Sequence, residues 1–350
     1  MTDKIRVLIV DDASFMVKAL TEMLGSDPDI DVVGYAKNGL EALEKIKELS
    51  PDVITLDVDM PVMDGIRSVR HIMIESPVPI VMLSSLFNHG EITFEALRLG
   101  VVDFMPKPSG AISHDIHNER NKIIDRVKIA ADEDIEKVRR VRVCKLDSRD
   151  RLSERYEFRP LEYIIAIGTT LGGPNTIINL MSQLSPDLPA AVVVVQEISQ
   201  KILPAFVAKF NDYTPWRVEV GIEGAVLEQG VCYVCSYNEP LTVKSNLNDE
   251  FCLSLGEKPE RPLNDLFTSA AEAFNDNAIG VLLTGIGDDG SQGFMSIKEK
   301  GGVTIAQSTE TCVYPNLTHT AIQNGVVDKI TNANQLAAMI DSIVSNGQGD

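Results

Sequence analysis

The chain has 350 residues, of which 44% are hydrophobic and 24% charged, so it holds enough apolar material for two sizeable cores and too much for a disordered chain. Its 32 basic residues against 51 acidic ones leave a formal net charge of −19, which works against contact with a phosphate backbone and so against nucleic acid as a partner. No apolar run reaches the length of a bilayer span, and the opening MTDKIRVLIVDD runs directly into a strand-like stretch. With five scattered cysteines, which fit a reducing compartment, the expectation is a cytoplasmic protein without membrane insertion.

From Met1 to about residue 130, the strand-like runs IRVLIV, DVVGYA, DVITLD, PIVML and VVDFM alternate with helix-period stretches such as SFMVKALTEML and GLEALEKIKEL. This alternation predicts five parallel strands with helices on both faces. The following segment, ADEDIEKVRRVRVCKLDSRDRLSERYEFRP, is charged over more than half its length and reads as a helix tail entering a solvated linker. A second α/β pattern starts near Tyr156, with strand-like runs EYIIAIG, AAVVVVQ, GVCYVC, PLTVKS, EFCLSL, AIGVLLTG and VTIAQS. Between them lie the helical stretches NTIINLMSQL, LPAFVAKF, LNDLFTSAAEAF and GFMSIKEK, and the short middle strands predict a hairpin. The domain boundaries are placed at 1–125, 126–158 (charged linker) and 159–348. Overall, the fold class is α/β, with two doubly wound domains. Cys232 and Cys235 form a close pair, but no second Cys/His pair completes a tetrahedral metal site.

In a parallel sheet, ligands sit beyond the carboxyl ends of the strands. In the first half those ends carry Asp11-Asp12, Asp57, Ser84-Ser85 and Lys107-Pro108. Carboxylates gathered at one sheet edge repel one another unless a cation sits among them, and oxygen-only ligation suits Mg²⁺. With a metal there, one carboxylate can act as nucleophile toward a phosphoryl group, Lys107 can offset charge on the transferred oxygens, and the Ser84 hydroxyl can bond the product phosphate. Helix-capping aspartates after strands are the plainer explanation for one such position, though not for five in a row.

The set IVDD, LDVDMPVMDG, LSS and DFMPKP resembles the receiver domain of two-component response regulators over roughly residues 3–125. The resemblance implies a flavodoxin-like fold and phosphorylation of Asp57 by a histidine kinase. It further implies Mg²⁺ bound directly by Asp12 and Asp57, by Asp11 through water, and by the backbone carbonyl of Asp59. Ser84 and Phe104 fall at the positions that rearrange on phosphorylation, and Lys107 pairs with the phosphate. The rival DxDx(T/V) phosphatase pattern is matched by Asp57-Val58-Asp59-Met60 only in its carboxylates, and is set aside.

The second half has two Gly-rich turns between strand and helix, IGTTLGGP and LTGIGDDGSQG. Gly285 to Gly290 satisfies the GxGxxG dinucleotide pattern, but Asp288 and Asp289 would oppose a pyrophosphate, and the motif arrives near the chain end. The ordered segments AIGTTLGGP, VVVVQEIS, RPLNDLF, VLLTGIGDDGSQG and GGVTIAQ resemble the effector domain of the chemotaxis protein-glutamate methylesterases (CheB) over residues 160–345. That resemblance implies a parallel-sheet hydrolase with a hairpin insertion and a Ser-His-Asp triad acting on receptor glutamate methyl esters or glutamines. Its implied partners are a chemotaxis histidine kinase and methyl-accepting chemoreceptors.

Two triad positions depart from the pattern. The nucleophile position of G-x-S-T-G-G holds Thr170 followed by Leu171, and the base position of the Q-H pair holds Glu197 after Gln196. Asp289 keeps the third position, and Ile286 and Gly287 stand where the family places oxyanion and substrate contacts. Asn316-Leu317-Thr318 replaces the G-M-P segment, and Cys235-Ser236-Tyr237 replaces APG. Glutamate is a weaker base than histidine by about two pKa units, and in other triads loss of Ser or His costs roughly 10⁶ in rate. The expectation is therefore an impaired effector that serves as a signalling or interaction module. The alternative is an active methylesterase/glutaminase with a variant Thr-Glu-Asp triad. His319, the only histidine of the second half, reads as a helix-surface residue rather than a replacement base.

Overall fold

A computed structural model describes residues 4–84, 90–108, 116–132, 135, 160–239, 241–248, 250–256 and 260–347. The chain divides into two compact units, Met1–Val141 and Arg142–Asp350. In the first unit β1 (Ile5–Val10), β2 (Ile30–Ala36), β3 (Val53–Asp57), β4 (Ile80–Ser84) and β5 (Asp103–Pro106) alternate with α1 (Ser14–Leu24), α2 (Gly39–Leu49), α3 (Gly65–Glu75), α4 (Gly90–Arg98) and α5 (Ile116–Ala131). The strands lie parallel in the order β2-β1-β3-β4-β5, the flavodoxin-like order. Every residue of β3 and β4 is buried, as expected of strands covered on both faces.

Chain order reverses between β1 and β3, opening a crevice at their carboxyl ends, which is where Asp11, Asp12 and Asp57 stand. Helix starts fix the loops around it. Asn38 Oδ1 accepts the Glu41 N–H at 3.1 Å to cap α2, and Asp64 Oδ1 accepts the Arg67 N–H at 2.8 Å to cap α3. Glycine is required at position 65, since a Cβ there would lie 2.3 Å from the Asp57 carbonyl oxygen. Without it α3 could not begin so close to the end of β3.

In the second unit β6 (Tyr163–Thr169), β7 (Ala190–Gln196), β8 (Arg217–Val220), β9 (Val231–Ser236), β12 (Ala278–Leu282), β13 (Val303–Gln307) and β14 (Lys329–Thr331) form one parallel sheet. Its order is β14-β13-β12-β6-β7-β9-β8, and β10 (Leu241–Ser245) with β11 (Phe251–Leu255) makes a separate antiparallel hairpin. The helices are α6 (Gly173–Gln183), α7 (Leu203–Phe210), α8 (Pro262–Phe274), α9 (Ser291–Glu299), α10 (Asn316–Gln323) and α11 (Leu336–Gly347). The Phe267 and Phe294 rings, 4.8 Å apart between centroids, join α8 to α9 in the core. The chain leaves β6 in opposite directions toward β7 and β12, so the switch crevice of this sheet lies between the ends of β6 and β12.

Two strands and one boundary differ from the sequence reading. β8 (RVEV) and β14 (KIT) are four and three residues long and sit at the two edges of the sheet, too short to show a period of their own. Helix α5 runs on to Ala131, inside the stretch assigned to the linker, because Ile123, Ile124, Val127 and Ala130 are buried. Most of the predicted linker lies outside the described residues, as does Ser85. Among the described residues, no helix is long and apolar enough to cross a membrane.

Candidate functional site

At the crevice of the first unit, ligand oxygens of Asp11, Asp12 and Asp57 lie within 4.8 Å of one another. Asp11 and Asp57 are buried and Asp12 is exposed, so the cluster opens to water on one side. Lys107 Nζ lies 2.7 Å from Asp11 Oδ2 and 2.7 Å from Asp57 Oδ2. Its place is set by the backbone, because the Lys107 N–H donates to the Ser84 carbonyl at 2.8 Å, continuing the β4–β5 ladder. Burial pushes the Asp57 carboxyl above the ordinary aspartate range, against the opposing pull of the Lys107 ammonium. Burial also works against the charge on Lys107, but its two carboxylate partners prevail and hold its pKa above the usual lysine value. Asp11 Oδ2 is buried and, apart from that ammonium, accepts no hydrogen bond.

Ser84 is buried at the end of β4, and Phe104 is half-buried on β5 opposite Met82. Asp59 is exposed two residues past β3, and its carboxylate is not part of the cluster. Between Asp59 and α3, the Met63 N–H donates to the Pro61 carbonyl at 2.7 Å, closing a γ-turn centred on Val62 at φ +68°. A β-branched residue at positive φ is strained.

In the second unit Thr169, Gln196 and Ser236 stand in one register row across β6, β7 and β9. Thr170, Glu197 and Tyr237 follow them by one residue each, along the carboxyl edge of the sheet. The Thr170 hydroxyl is buried and held by one residue of the loop after β12. It accepts the Ile286 N–H at 2.8 Å and donates to the Ile286 carbonyl at 3.1 Å. Gln196 Nε2 donates to the Thr170 carbonyl at 2.8 Å, which fixes the turn from the neighbouring strand. Gly285 permits the approach, because a Cβ there would lie 2.6 Å from Thr170 Oγ1 and 2.4 Å from Leu317. Ile286 is half-buried, while Gly287 is exposed at φ +100°. Glu197 is half-buried and is not a hydrogen-bond partner of the Thr170 hydroxyl.

Asp289 is buried among four donors. Its Oδ1 accepts the N–H groups of Asn264 (3.1 Å) and Gly290 (2.8 Å), and its Oδ2 accepts the Leu263 N–H (2.8 Å) and the Tyr237 hydroxyl (3.2 Å). Leu263 and Asn264 are in the first turn of α8, so Asp289 caps a helix whose own N-cap residue, Arg261, supplies no side-chain cap. Asn264 Oδ1 in turn accepts the N–H groups of Gly290 and Gly293, at 3.1 and 2.9 Å, at the start of α9.

A family model described as CheB methylesterase matches residues 165–340, and one described as response regulator receiver domain matches residues 7–115. The chain belongs to the CheB methylesterase family. It is 39% identical over 356 aligned residues to a protein-glutamate methylesterase/protein-glutamine glutaminase of Carboxydothermus hydrogenoformans, covering 97% of this chain and 99% of that one. It is 35% identical over 340 residues to a protein-glutamate methylesterase/protein-glutamine glutaminase of Pyrococcus horikoshii, covering 94% of this chain and 91% of that one. The crystal structure of the Thermotoga maritima CheB methylesterase catalytic domain matches 52% of this chain and 98% of that chain, at 26% identity and a TM-score of 0.49.

Within this CheB family member, a chemotaxis response regulator with a methylesterase domain, the structure brings Thr170, Ile286 and the Asp289 loop together across the β6/β12 crevice. His319 is exposed on α10. Cys232 and Cys235 are buried free thiols in β9, and burial raises Cys235 to about 12, so neither is ionised near neutral pH. Tyr237 and Asn264 stand in segments the sequence singled out, Cys235-Ser236-Tyr237 and RPLNDLF, but their roles at Asp289 and at the start of α9 were not legible there. Their contacts join segments 52 and 29 positions apart in the chain, beyond what spacing rules can show.

Proposed function

We propose that phosphorylation of Asp57 by a chemotaxis histidine kinase controls hydrolysis of glutamyl methyl esters, or deamidation of glutamines, on methyl-accepting chemoreceptors by the second unit, in the cytoplasm. The observation that carries the hydrolytic part is the buried Thr170 oxygen, held at 2.8 Å by the Ile286 amide at the switch crevice. The names of relatives that cover nearly the whole chain support the substrate class.

In this reading Thr170 Oγ attacks the side-chain carbonyl carbon, and its proton passes to Glu197 at the end of the neighbouring strand. The new C–O bond forms as the C–O bond to methanol, or the C–N bond to ammonia, breaks and the leaving group takes a proton. Water then cleaves the threonyl ester and restores the hydroxyl. Thr170 must first turn its hydroxyl from the Ile286 carbonyl, while the Ile286 N–H stays to hold the oxygen. The aspartates of the first unit fit Mg²⁺: the donors are hard oxygens, and buried Asp11 Oδ2 has only an ammonium beside it. Asp11, Asp12, Asp57 and the Asp59 carbonyl would hold the ion, which supplies positive charge beside the transferring phosphoryl oxygens. In this reading Lys107, whose ammonium touches both Asp11 and Asp57, pairs with that phosphoryl group.

One observation favours a second reading, a phosphorylation-switched module that binds receptor without turnover. The Thr170 proton is donated to a backbone carbonyl rather than to a base. Mass spectrometry of receptor segments bearing methyl esters or glutamines, incubated with the phosphorylated full chain, separates the two. Conversion of those side chains to carboxylates supports hydrolysis, whereas unaltered receptor retained by the chain supports the module.

A further inference from the structure

Asp289 offers the four acceptor sites of a carboxylate, and three are taken by backbone N–H groups of Leu263, Asn264 and Gly290. In a Ser-His-Asp set the carboxylate accepts from the imidazole. Here the fourth site is taken by a phenol, Tyr237 Oη, at 3.2 Å. Tyr237 is anchored independently, since its N–H donates to the Gln196 carbonyl at 2.8 Å, and Gln196 also holds the Thr170 carbonyl. Its ring packs against the core of the second unit. Tyr237 therefore ties the β7 and β9 ends to the loop that carries Asp289 and, three residues earlier, Ile286.

We infer that Tyr237 is the positioning residue of this site: it occupies on Asp289 the place of the missing imidazole, and through the Asp289 loop it sets the Ile286 amide against Thr170 Oγ. Its consequence for turnover rests on the hydrolytic reading above, whereas the contact itself does not. The groups facing the phenol are Asp289, Glu197 and Arg261, and burial with the two carboxylates raises its pKa well above the usual tyrosine value. The hydroxyl thus stays protonated and donating through the neutral range. It orients the carboxylate and takes no proton from Thr170.

The test uses the full chain with Asp57 phosphorylated. Tyr237→Phe removes one hydrogen bond to a charged acceptor, and kcat is expected to fall about 10- to 100-fold with KM within about twofold. Wild-type kcat in Tyr237→Phe overturns the inference and leaves hydrolysis intact. Independently, NMR with carbon-labelled tyrosine rings identifies Tyr237 as the signal lost in Tyr237→Phe. That signal is expected to stay un-ionised beyond the ordinary tyrosine range in the wild type, and to ionise at lower pH in Asp289→Asn. Ionisation at the ordinary value in the wild type overturns the contact, and this reading alone decides should Asp289→Asn not fold. If the wild type has no turnover, the hydrolytic reading fails and the titration by itself supports or overturns the Tyr237–Asp289 contact.

Discussion

Replacing Lys107 with methionine removes the one ammonium lodged between Asp11 and Asp57 while keeping most of its apolar volume. Each 2.7 Å contact is worth about 6 kcal/mol of attraction at an effective dielectric near 20. Desolvation of the ammonium offsets several kcal/mol, and the exposed Asp12 side admits water, so a net loss of about 3 kcal/mol is expected at neutral pH. The loss must depend on pH in a definite direction. Asp57 has a raised folded-state pKa, so the folded state keeps a proton that the unfolded chain releases. Stability from this group is therefore lost as pH rises from the ordinary aspartate value, 3.8, through the raised one. Without Lys107 the folded pKa rises further and the loss deepens, so wild type and Lys107→Met converge in acid and diverge toward neutrality. Native-state hydrogen exchange of β3 and β4 amides in the full chain measures this locally, with β6 and β7 as an internal reference. Millimolar Mg²⁺ should restore much of the protection, since a cation replaces the lost ammonium. Equal loss at every pH, with no recovery in magnesium, would refute the claim that Lys107 compensates buried carboxylates.

Three further outcomes follow from the geometry. Asn264→Ala leaves the Gly293 N–H at the start of α9 without its acceptor and the Gly290 N–H with Asp289 Oδ1 alone, and should destabilise the second unit by about 1–2 kcal/mol, followed by fluorescence of the single buried tryptophan, Trp216. Gly173→Ala places a Cβ 2.1 Å from Thr169 Oγ1 and 2.6 Å from Gln196 Oε1, and should cost about 3 kcal/mol or abolish folding of that unit by the same measurement. Val62→Gly relieves the positive-φ centre of the γ-turn, and should stabilise the first unit by about 1 kcal/mol in urea unfolding after the entropy of the added glycine is subtracted.

Much of the fold was legible because burial in parallel sheets leaves a local mark. SFMVKALTEML and GLEALEKIKEL coincide with α1 and α2, and the runs IRVLIV and VITLD with β1 and β3. The acidic pocket was legible for a related reason: strand ends fall at countable positions, and a parallel sheet brings those ends to one edge. RVEV and KIT left no such mark, being short edge strands held by pairing on one side only. The mutual capping of α8 and α9 was also hidden. Asp289 reads as a catalytic carboxylate by its motif, whereas three of its four hydrogen bonds are to backbone N–H groups, two of them in the first turn of α8. Nothing local to RPLNDLF shows that its cap comes from about 25 residues downstream. Thr170 and Glu197 were legible as departures from a pattern, but the bonding of the threonine hydroxyl to both backbone groups of Ile286 joins segments 116 positions apart and leaves no local mark.

If Thr170 Oγ does chemistry under the control of Asp57, methanol release must depend on both residues. The most direct measurement is the rate of methanol release from methylated chemoreceptor membranes by the full chain, with a small-molecule phosphodonor and Mg²⁺, beside Thr170→Ala and Asp57→Asn. Release is expected to rise on phosphorylation, to be lost in Thr170→Ala, and to stop responding to phosphodonor in Asp57→Asn. Release from the phosphorylated wild type no faster than from Thr170→Ala would contradict a chemical role for Thr170 Oγ.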